Sequence, residues 1–177
     1  MTIELTFIAI IFGLIIGLVV ALAKISGKHF LIKLAAFYTW IIRGTPLLLQ
    51  LYFIYYGLPQ IGINFTPFAA ASIGLSICAG AYIAEIIRAG IQSIDKGQME
   101  AARSLGMTYL QAMRRIIIPQ AYRRMIPPLG NEFIALLKDS SLVSTIAMVD
   151  LMRTANQMYA TTFRPLKFSS RQRYCIC

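Results

Sequence analysis

A nineteen-residue apolar run near the amino terminus most constrains what this chain can fold into. It extends from Leu5 to Ala23, and Thr6 is its only strongly polar residue. At about 1.5 Å per residue, a helix of this length nearly matches the roughly 30 Å hydrocarbon core of a bilayer. The run is too long for an ordinary signal-peptide core, and no basic stretch precedes it. It therefore predicts a membrane-spanning helix.

Three further apolar segments and the composition favour lipid as the surrounding solvent. Hydrophobic residues make up 58% of the 177 residues, charged residues only 14%, and the mean hydropathy is +0.67. Soluble domains average about 45–50% apolar and about 25% charged residues. The second segment runs from about Ala35 to Tyr56 and is interrupted at Arg43–Pro46. The third runs from Phe68 to about Ile87. The fourth runs from Ile126 past Leu137 and is interrupted at Lys138–Ser141 before Leu142–Val149. We therefore predict an all-α polytopic membrane protein with four membrane segments.

Basic residues are concentrated in alternate loops between these segments. The net charge of +10 would by itself also suit nucleic-acid binding. However, the loop after the first segment contains three basic residues, Lys24, Lys28 and Lys33, and the loop 57–67 contains none. The loop after the third segment contains seven: Arg88, Lys96, Arg103, Arg114, Arg115, Arg123 and Arg124. The positive-inside rule places the amino terminus outside and the loop 88–124 in the cytoplasm. Topology thus explains the charge without a nucleic-acid partner.

The sequence indicates no catalytic, cofactor or metal site. It contains no G-x-x-x-x-G-K-[ST] phosphate loop, and the single histidine, His29, has no nearby nucleophile. Cys78 lies in an apolar run and is interpreted as a packing residue, while Cys175 and Cys177 form a lone C-x-C. We therefore predict a chain that is not an enzyme and binds neither cofactor nor metal.

The basic loop 92–124 is amphipathic and predicts two short helices that project from the membrane. Gly106 marks their junction, because glycine favours the left-handed conformation at a helix end. Thr108 followed by Gln111 is typical of a capping box, which begins a second helix running to Ile118. Pro119 is expected to bend or end that helix. The alternative is an interfacial hairpin lying on the lipid headgroups.

Residues in this loop resemble the EAA loop of ABC importer permeases. Glu100-Ala101-Ala102 is followed at the family's spacing by Gly106, Ile116 and Ile118-Pro119, with isoleucine where the family has leucine before the proline. The stretches 43–47, 81–88, 96–98 and 138–142 resemble the polar-amino-acid branch of that family. The likeness extends over about residues 2–166.

This resemblance implies a type I ABC importer permease bundle in the bacterial inner membrane, with residues 1–166 as its transmembrane domain. The implied function is ATP-driven import of polar amino acids, and the transported amino acid stays open. The implied partners are a dimer of ATP-binding subunits that hydrolyse ATP, a second identical or related permease subunit, and an extracytoplasmic amino-acid-binding protein. The resemblance assigns contact with the ATPase to Glu100, Ala101, Ala102, Arg103, Gly106, Ile116 and Pro119.

Polar residues inside the apolar segments are candidates for the translocation pathway, because a charge at membrane depth costs at least about 2–3 kcal/mol. They are Arg43, Glu85, Asn131, Glu132, Lys138, Asp139 and Ser140. Asp139–Ser141 is expected to break the fourth helix and to expose backbone groups to a substrate. The alternatives are a structural ion pair between Glu85 and Arg88, an interfacial anchor at Arg43 near the cytoplasm, and inter-subunit packing at the polar break.

The family character ends at Leu166. Members of this branch continue into a final membrane helix, whereas residues 167–177 are polar, basic and too short to span. We therefore expect a truncated or frame-shifted product that lacks this helix. The alternative function is a non-transporting membrane anchor or assembly protein, or an inactive truncated permease. A secondary transporter is disfavoured, because no internal repeat is evident.

Overall fold

Helices form nearly all of the chain that the structure describes, and the predicted all-α class is confirmed. The computed structural model describes residues 2–146, in which no strand occurs. In chain order its elements are α1 (Thr2–Ile25), α2 (His29–Gly44), α3 (Leu47–Tyr52), a π-helical turn (Phe53–Gly57), a 3-10 helix (Leu58–Ile61), α4 (Pro67–Gln92), α5 (Lys96–Ser104), α6 (Tyr109–Ala112), a second π-helical turn (Met113–Ile117), α7 (Ile118–Asp139) and a final 3-10 helix (Ser140–Ile146). The end of the fourth segment, the boundary at Leu166 and the tail 167–177 lie outside the described residues.

Two helices of the described chain are long and apolar enough to cross a membrane unaided. They comprise Ile3–Ile25 and Pro67–Gln92, with mean hydropathies of 3.0 and 1.7 in their most apolar parts. These are the first and third predicted segments, and the third extends to Gln92 rather than ending at Ile87. The second segment is divided into shorter elements at Thr45–Pro46, whereas the helix of the fourth segment, α7, is 22 residues long but carries five charged residues.

Glycines on α1 allow its backbone to approach α4 closely. A Cβ atom on Gly13 would lie 2.8 Å from Ala79 Cβ, and one on Gly17 would lie 2.6 Å from Ile83 Cγ2. Neither position has room for a side chain. The two glycines therefore form a G-x-x-x-G stripe of the kind through which membrane helices pack.

Gly17→Val is expected to lower the free energy of unfolding by about 1–3 kcal/mol, because the added isopropyl group has to push Ile83 and α4 away. Leu18→Val is the matched control, since Leu18 is 49% exposed on the outer side of the same helix. Thermal unfolding in detergent, followed by circular dichroism, is expected to show a lower transition temperature for Gly17→Val alone. Equal transitions for the two variants would contradict packing through this stripe.

The interruption of the second segment occurs at Thr45, within the predicted range Arg43–Pro46. Thr45 is extended (φ −111°, ψ 138°), as a following proline favours. The Gln50 side chain satisfies carbonyl groups at the break, since its Nε2 donates to Ile42 O at 2.8 Å and to Thr45 O at 3.1 Å. The helix therefore stops inside the protein while these backbone oxygens stay hydrogen-bonded.

The predicted pair of short helices is present as α5 and α6, with Gly106 in the turn between them. Asp95 caps α5, because Gly97 N donates to Asp95 Oδ1 at 2.6 Å. Gly106 has φ +82°, the left-handed conformation that glycine adopts most readily. The predicted capping box is confirmed: Gln111 N donates to Thr108 Oγ1 at 3.3 Å, and Thr108 N donates to Gln111 Oε1 at 2.9 Å.

Pro119 does not end the second of these helices, and the helix that contains the predicted fourth segment begins at Ile118, eight residues before Ile126. The backbone stays helical from α6 through the turn Met113–Ile117 into α7, which begins at Ile118. Pro119 lies in the first turn of α7, where a missing N–H is tolerated. Continuous helical backbone therefore joins the hairpin to the fourth segment.

The α-helix ends at Asp139, where a break was predicted, but the chain tightens into 3-10 turns there instead of unwinding. Ser140 Oγ donates to Leu137 O at 2.7 Å, and Ser141 Oγ donates to Lys138 O at 2.6 Å. These hydroxyl groups satisfy carbonyls at the point where the hydrogen-bond spacing changes. A substrate would therefore meet side chains in this region, rather than unwound backbone.

The described chain has two hydrophobic cores at successive levels along α4 and α7. The first, the bundle core, packs α1, α3 and α4 around Leu5, Leu51, Leu75 and Ile83. The second, the hairpin core, comprises Ile94, Ile117, Ala121 and Met125, with Met99 and Met113 packed against them. Only Ile87 on α4 and Leu129 on α7 pack against both cores in the described residues. Thus α4 and α7 connect the hairpin to the bundle.

Candidate functional site

A cleft of about 510 Å³ opens between the α2–α3 junction, α4 and α7. Three charged residues of the predicted pathway line it, namely Arg43, Glu132 and Asp139. The interrupted backbone at Thr45–Pro46 forms one wall, and Cys78 and Tyr82 of α4 form part of another. The proline that stops α2 thus also opens the space in which these charges lie.

The cleft lies beside the middle of α4, one of the two described helices that are long and apolar enough to cross a membrane. Cys78 and Tyr82 occupy the central part of α4, whose 26 residues extend over about 39 Å. Arg43 lies about 21 Å along α2 from its start at His29. The Arg43 guanidinium group thus lies beside Tyr82 in the central part of α4, and its interpretation as an anchor near the cytoplasmic interface stays a prediction.

The charges of the cleft are available to a ligand. The Arg43 guanidinium carbon is 5.1 Å from the centroid of the Tyr82 ring, a cation–π contact. Glu132 and Asp139 are about two helical turns, or about 10 Å, apart on one side of α7. Within residues 2–146, none of the three forms an ion pair. Unpaired charges at membrane depth are costly, and they characteristically mark substrate pathways.

The remaining pathway candidates lie outside the lining of this cleft. Asn131 and Lys138 are exposed on α7, and Ser140 is fully buried with its hydroxyl group bonded within its own helix. Their roles stay predictions. Sequence reasoning missed Cys78 and Tyr82 as cleft residues. Their spacing of four residues, which places both on one helix face, is the signal that could have paired them.

Glu85 belongs to a separate ion-pair network that joins three helices. Arg88 Nη2 lies 2.8 Å from Glu85 Oε2, which confirms the predicted i,i+3 pair. Lys24 of α1 forms a second salt bridge with the other carboxylate oxygen, and its Nζ donates to Thr39 Oγ1 of α2 at 2.6 Å. Only 9% of the Lys24 side chain is exposed. The contacts of Glu85 thus favour the structural alternative, and its pathway role stays a prediction.

The hairpin presents an exposed apolar surface around Gly106. Leu105 and Leu110 are 79% and 74% exposed, and Tyr109 is 53% exposed. With Ala101 and Gly106 they form what we call the hairpin patch. Sequence reasoning missed its two leucines and its tyrosine, although apolar residues beside a predicted turn glycine were a usable signal. The patch has the apolar character of a protein-binding surface.

The residues assigned to ATPase contact divide between this surface and the interior. Glu100, Ala101, Arg103, Gly106 and Pro119 are exposed. Ala102 is only 1% exposed, and Ile116 is half-buried against the hairpin core. In the structure, Ala102 and Ile116 therefore support the shape of the hairpin more than they add to its exposed surface.

Sequence comparisons relate the chain to transport proteins over nearly its whole length. Residues 9–170 match the family described as the binding-protein-dependent transport system inner membrane component. The chain is 46% identical over 167 residues to the arginine transport system permease protein ArtQ of Bacillus subtilis (strain 168), covering 94% of this chain and 76% of that protein. It is also 46% identical over 159 residues to the L-cystine transport system permease protein TcyB of the same strain, covering 90% and 68% of the two chains.

Solved structures show the same arrangement of helices. A chain in the crystal structure of an amino acid ABC transporter with histidines has a TM-score of 0.92 and 47% identity, over 99% of this chain and 84% of that chain. The MetNI methionine ABC transporter in an inward-facing conformation has a TM-score of 0.74 at 22% identity, over 99% of this chain and 87% of that chain. The second likeness supports the fold alone.

Proposed function

Because the chain belongs to the family of inner membrane components of binding-protein-dependent transport systems, we propose that it is the permease subunit of an ATP-driven importer of polar amino acids. Such a subunit is a multi-pass protein of the inner membrane. It provides the pathway, while a separate subunit hydrolyses ATP and a binding protein delivers the substrate. Residues 1–166 would form its transmembrane domain.

One arrangement carries this proposal: the charged cleft and the hairpin patch are attached to the same two helices. The central part of α4 lines the cleft with Cys78 and Tyr82, and its end at Gln92 leads directly into the hairpin. Along α7, the chain leaves the hairpin at Ile118 and reaches the cleft at Glu132. A displacement of the hairpin can therefore be transmitted to the substrate site through the backbones of α4 and α7.

The hairpin patch would dock on the ATPase subunit. Its exposed leucines and tyrosine supply apolar contact area, and the lack of a side chain at Gly106 lets the partner approach the backbone closely. Glu100 and Arg103, which are exposed on α5, would add polar contacts at the edge. Ala101, Ala102, Ile116 and Pro119 complete the proposed coupling element.

The cleft suits an amino acid because it offers charges of both signs. Arg43 would bind the substrate carboxylate, and Glu132 and Asp139 would bind ammonium or guanidinium groups. Two carboxylates against one guanidinium favour an amino acid with a positively charged side chain. The relatives named above are arginine and L-cystine permeases, and a putative glutamine transport system permease protein GlnP of Rickettsia bellii (strain RML369-C) is 46% identical over 92% of this chain and 75% of that protein.

The proposed topology follows from the distribution of basic residues. The amino terminus lies outside, and the hairpin within the loop 88–124 projects into the cytoplasm, where the ATPase dimer would be. The cleft is open at the surface of a single chain, so a second permease subunit, identical or related, would enclose it. The extracytoplasmic binding protein would deliver the amino acid from the opposite side.

Substrate binding in the cleft is expected to slow the reaction of the variant Ala135→Cys with a small methanethiosulfonate reagent at least about threefold, because Ala135 lines the cleft beside the three charges and is only half-buried. The experiment uses the assembled complex with Cys78 replaced by alanine and Cys175 and Cys177 by serine, with and without arginine, glutamine or cystine. Gln60→Cys in the same background is the control, since Gln60 is exposed in the 3-10 helix Leu58–Ile61, which contributes nothing to the lining. Equal labelling of Ala135→Cys with and without every amino acid would contradict a substrate site here.

A further inference from the structure

The cytoplasmic end of the described chain is packed as a unit of its own. The hairpin core draws on the last turns of α4, on α5, and on the helical backbone from Met113 to Met125. It is distinct from the bundle core, and only Ile87 and Leu129 among the described residues pack against both. The level of these two residues is therefore where the two packed units meet.

Two contacts fix the first part of α7 to the end of α4 within the hairpin unit. The Arg124 guanidinium group donates a hydrogen bond to Ser93 O, the carbonyl of the residue that caps α4. Nearby, Gly90 leaves space for the Met125 side chain: a Cβ atom on Gly90 would lie 2.5 Å from Met125 Cγ. A polar contact and a close apolar contact on consecutive residues of α7 therefore hold the two helices together up to Met125.

Immediately beyond Met125, α7 contains residues that weaken a helix. Pro127 and Pro128 lie inside the helix and have no N–H to donate, so the carbonyls of Arg123 and Arg124 lack their usual helical partners. Gly130 follows and adds backbone freedom, with nothing within 4 Å of the place where its Cβ would lie. By contrast, residues 68–92 of α4 include no proline. The weakness is thus confined to α7, between the hairpin unit and the cleft carboxylates.

We propose that Pro127–Gly130 is a hinge at which the cleft half of α7 swings relative to α4 when the hairpin unit is moved. This proposal rests on the proposed function, which identifies the hairpin as the part that the ATPase moves. Arg124 and Met125 are positioning residues, because they keep the hairpin side of the hinge attached to α4. Glu132 and Asp139 lie on the other side, so bending at the hinge changes their distance from Arg43 and Tyr82 across the cleft.

The variant Pro127→Ala/Pro128→Ala/Gly130→Ala, the stiffened variant, tests the hinge by strengthening the helix. It is expected to fold at least as stably as the native chain, because alanine is the best helix former. ATP-driven uptake is expected to fall at least about tenfold, while copurification of the ATPase and substrate protection of Ala135→Cys are retained. Pro67→Ala, at the first position of α4, is the matched control and should transport normally. Native uptake by a well-folded stiffened variant would overturn the proposal.

A distance measurement tests the same hinge without the ATPase. Spin labels on cysteines introduced at Tyr122 and Ile134, in a chain without its native cysteines, flank the hinge at positions that are 60% and 51% exposed. Pulsed EPR on the purified chain is expected to give a broader distance distribution for the native hinge than for the stiffened variant. Equal widths would overturn the hinge. Absence of ATP-driven uptake by the native complex would instead contradict the proposed function, so the two failures are distinguishable.

Discussion

Gly106→Asp is expected to reduce ATP-driven uptake about 100-fold while the chain still inserts and folds. The substitution places a carboxylate at the centre of the hairpin patch, between the exposed Leu105 and Tyr109. Docking would bury this charge without a partner, at a cost of about 3 kcal/mol, which corresponds to roughly a 100-fold loss of affinity. The measurements are copurification of the ATPase subunit and uptake into vesicles at equal expression, and both are expected to fall together.

Gly62→Asp separates this effect from backbone strain. Gly62 has φ +87°, close to the +82° of Gly106, and neither position has an atom within 4 Å of an added Cβ. A non-glycine residue in this left-handed conformation therefore destabilises both variants by the same amount, about 1–2 kcal/mol. In the proposed topology, Gly62 lies in the uncharged loop on the opposite side of the membrane from the hairpin, so Gly62→Asp should retain the ATPase. Equal uptake by Gly106→Asp and Gly62→Asp would contradict docking through the hairpin patch.

Glu132→Gln is expected to raise the KM for a cationic amino acid about 30-fold, with the ATPase still bound. The change removes one negative charge from the cleft and keeps the size of the side chain. A hydrogen bond to a charged group contributes about 1.5–3 kcal/mol, and a loss of about 2 kcal/mol gives roughly this factor. Uptake measured over a range of arginine concentrations provides the KM, and ATPase copurification provides the assembly check.

Lys33→Gln, which changes the net charge by one unit in the opposite direction, is the control for an effect of overall charge. Lys33 is exposed near the start of α2, far along that helix from Arg43, so its replacement should leave the KM unchanged. If Glu132→Gln and Lys33→Gln transport arginine with the native KM, Glu132 does not contact the substrate. If Lys33→Gln lowers the KM for the cationic substrate by the factor by which Glu132→Gln raises it, the effect is one of overall charge, and the cleft assignment is again wrong.

Local sequence signals predicted the hairpin well, because its structure depends on short-range hydrogen bonds. The Thr108–Gln111 capping box and the turn at Gly106 involve neighbours along the chain, and both were identified from their residue types. The break before Pro46 was equally predictable, since proline restricts the residue that precedes it. In each case the residues that set the conformation lie within about four positions of one another.

The predictions for Pro119 and Ser140 differ from the structure because the backbone at both places stays helical and its hydrogen-bonding groups are satisfied in another way. Pro119 was expected to bend or end a helix, and it does not end one, because its place in the first turn of α7, after a π-helical turn, lets the helix continue. Ser140 was expected to lie in unwound chain, but its hydroxyl group bonds to Leu137 O and permits 3-10 turns. Choices between such local conformations depend on tertiary packing, which the sequence pattern does not display.

The candidate site was predictable in its charges but not in its geometry. Arg43, Glu132 and Asp139 stood out because charges are rare in apolar segments. Their convergence on one cleft depends on how α2, α4 and α7 pack, over separations of about 90 residues. For the same reason the partnership of Lys24 with Glu85 was not foreseen, although the local pair of Glu85 with Arg88 was.

ATP-driven accumulation of an amino acid in proteoliposomes tests the central claim most directly. The full chain is reconstituted with the ATPase subunit that copurifies with it and with its binding protein, and radiolabelled arginine, glutamine and cystine are supplied on the binding-protein side. We expect at least one amino acid to accumulate against its gradient, only with ATP, and with arginine taken up best. An assembled complex that hydrolyses ATP but accumulates none of the three would contradict the account.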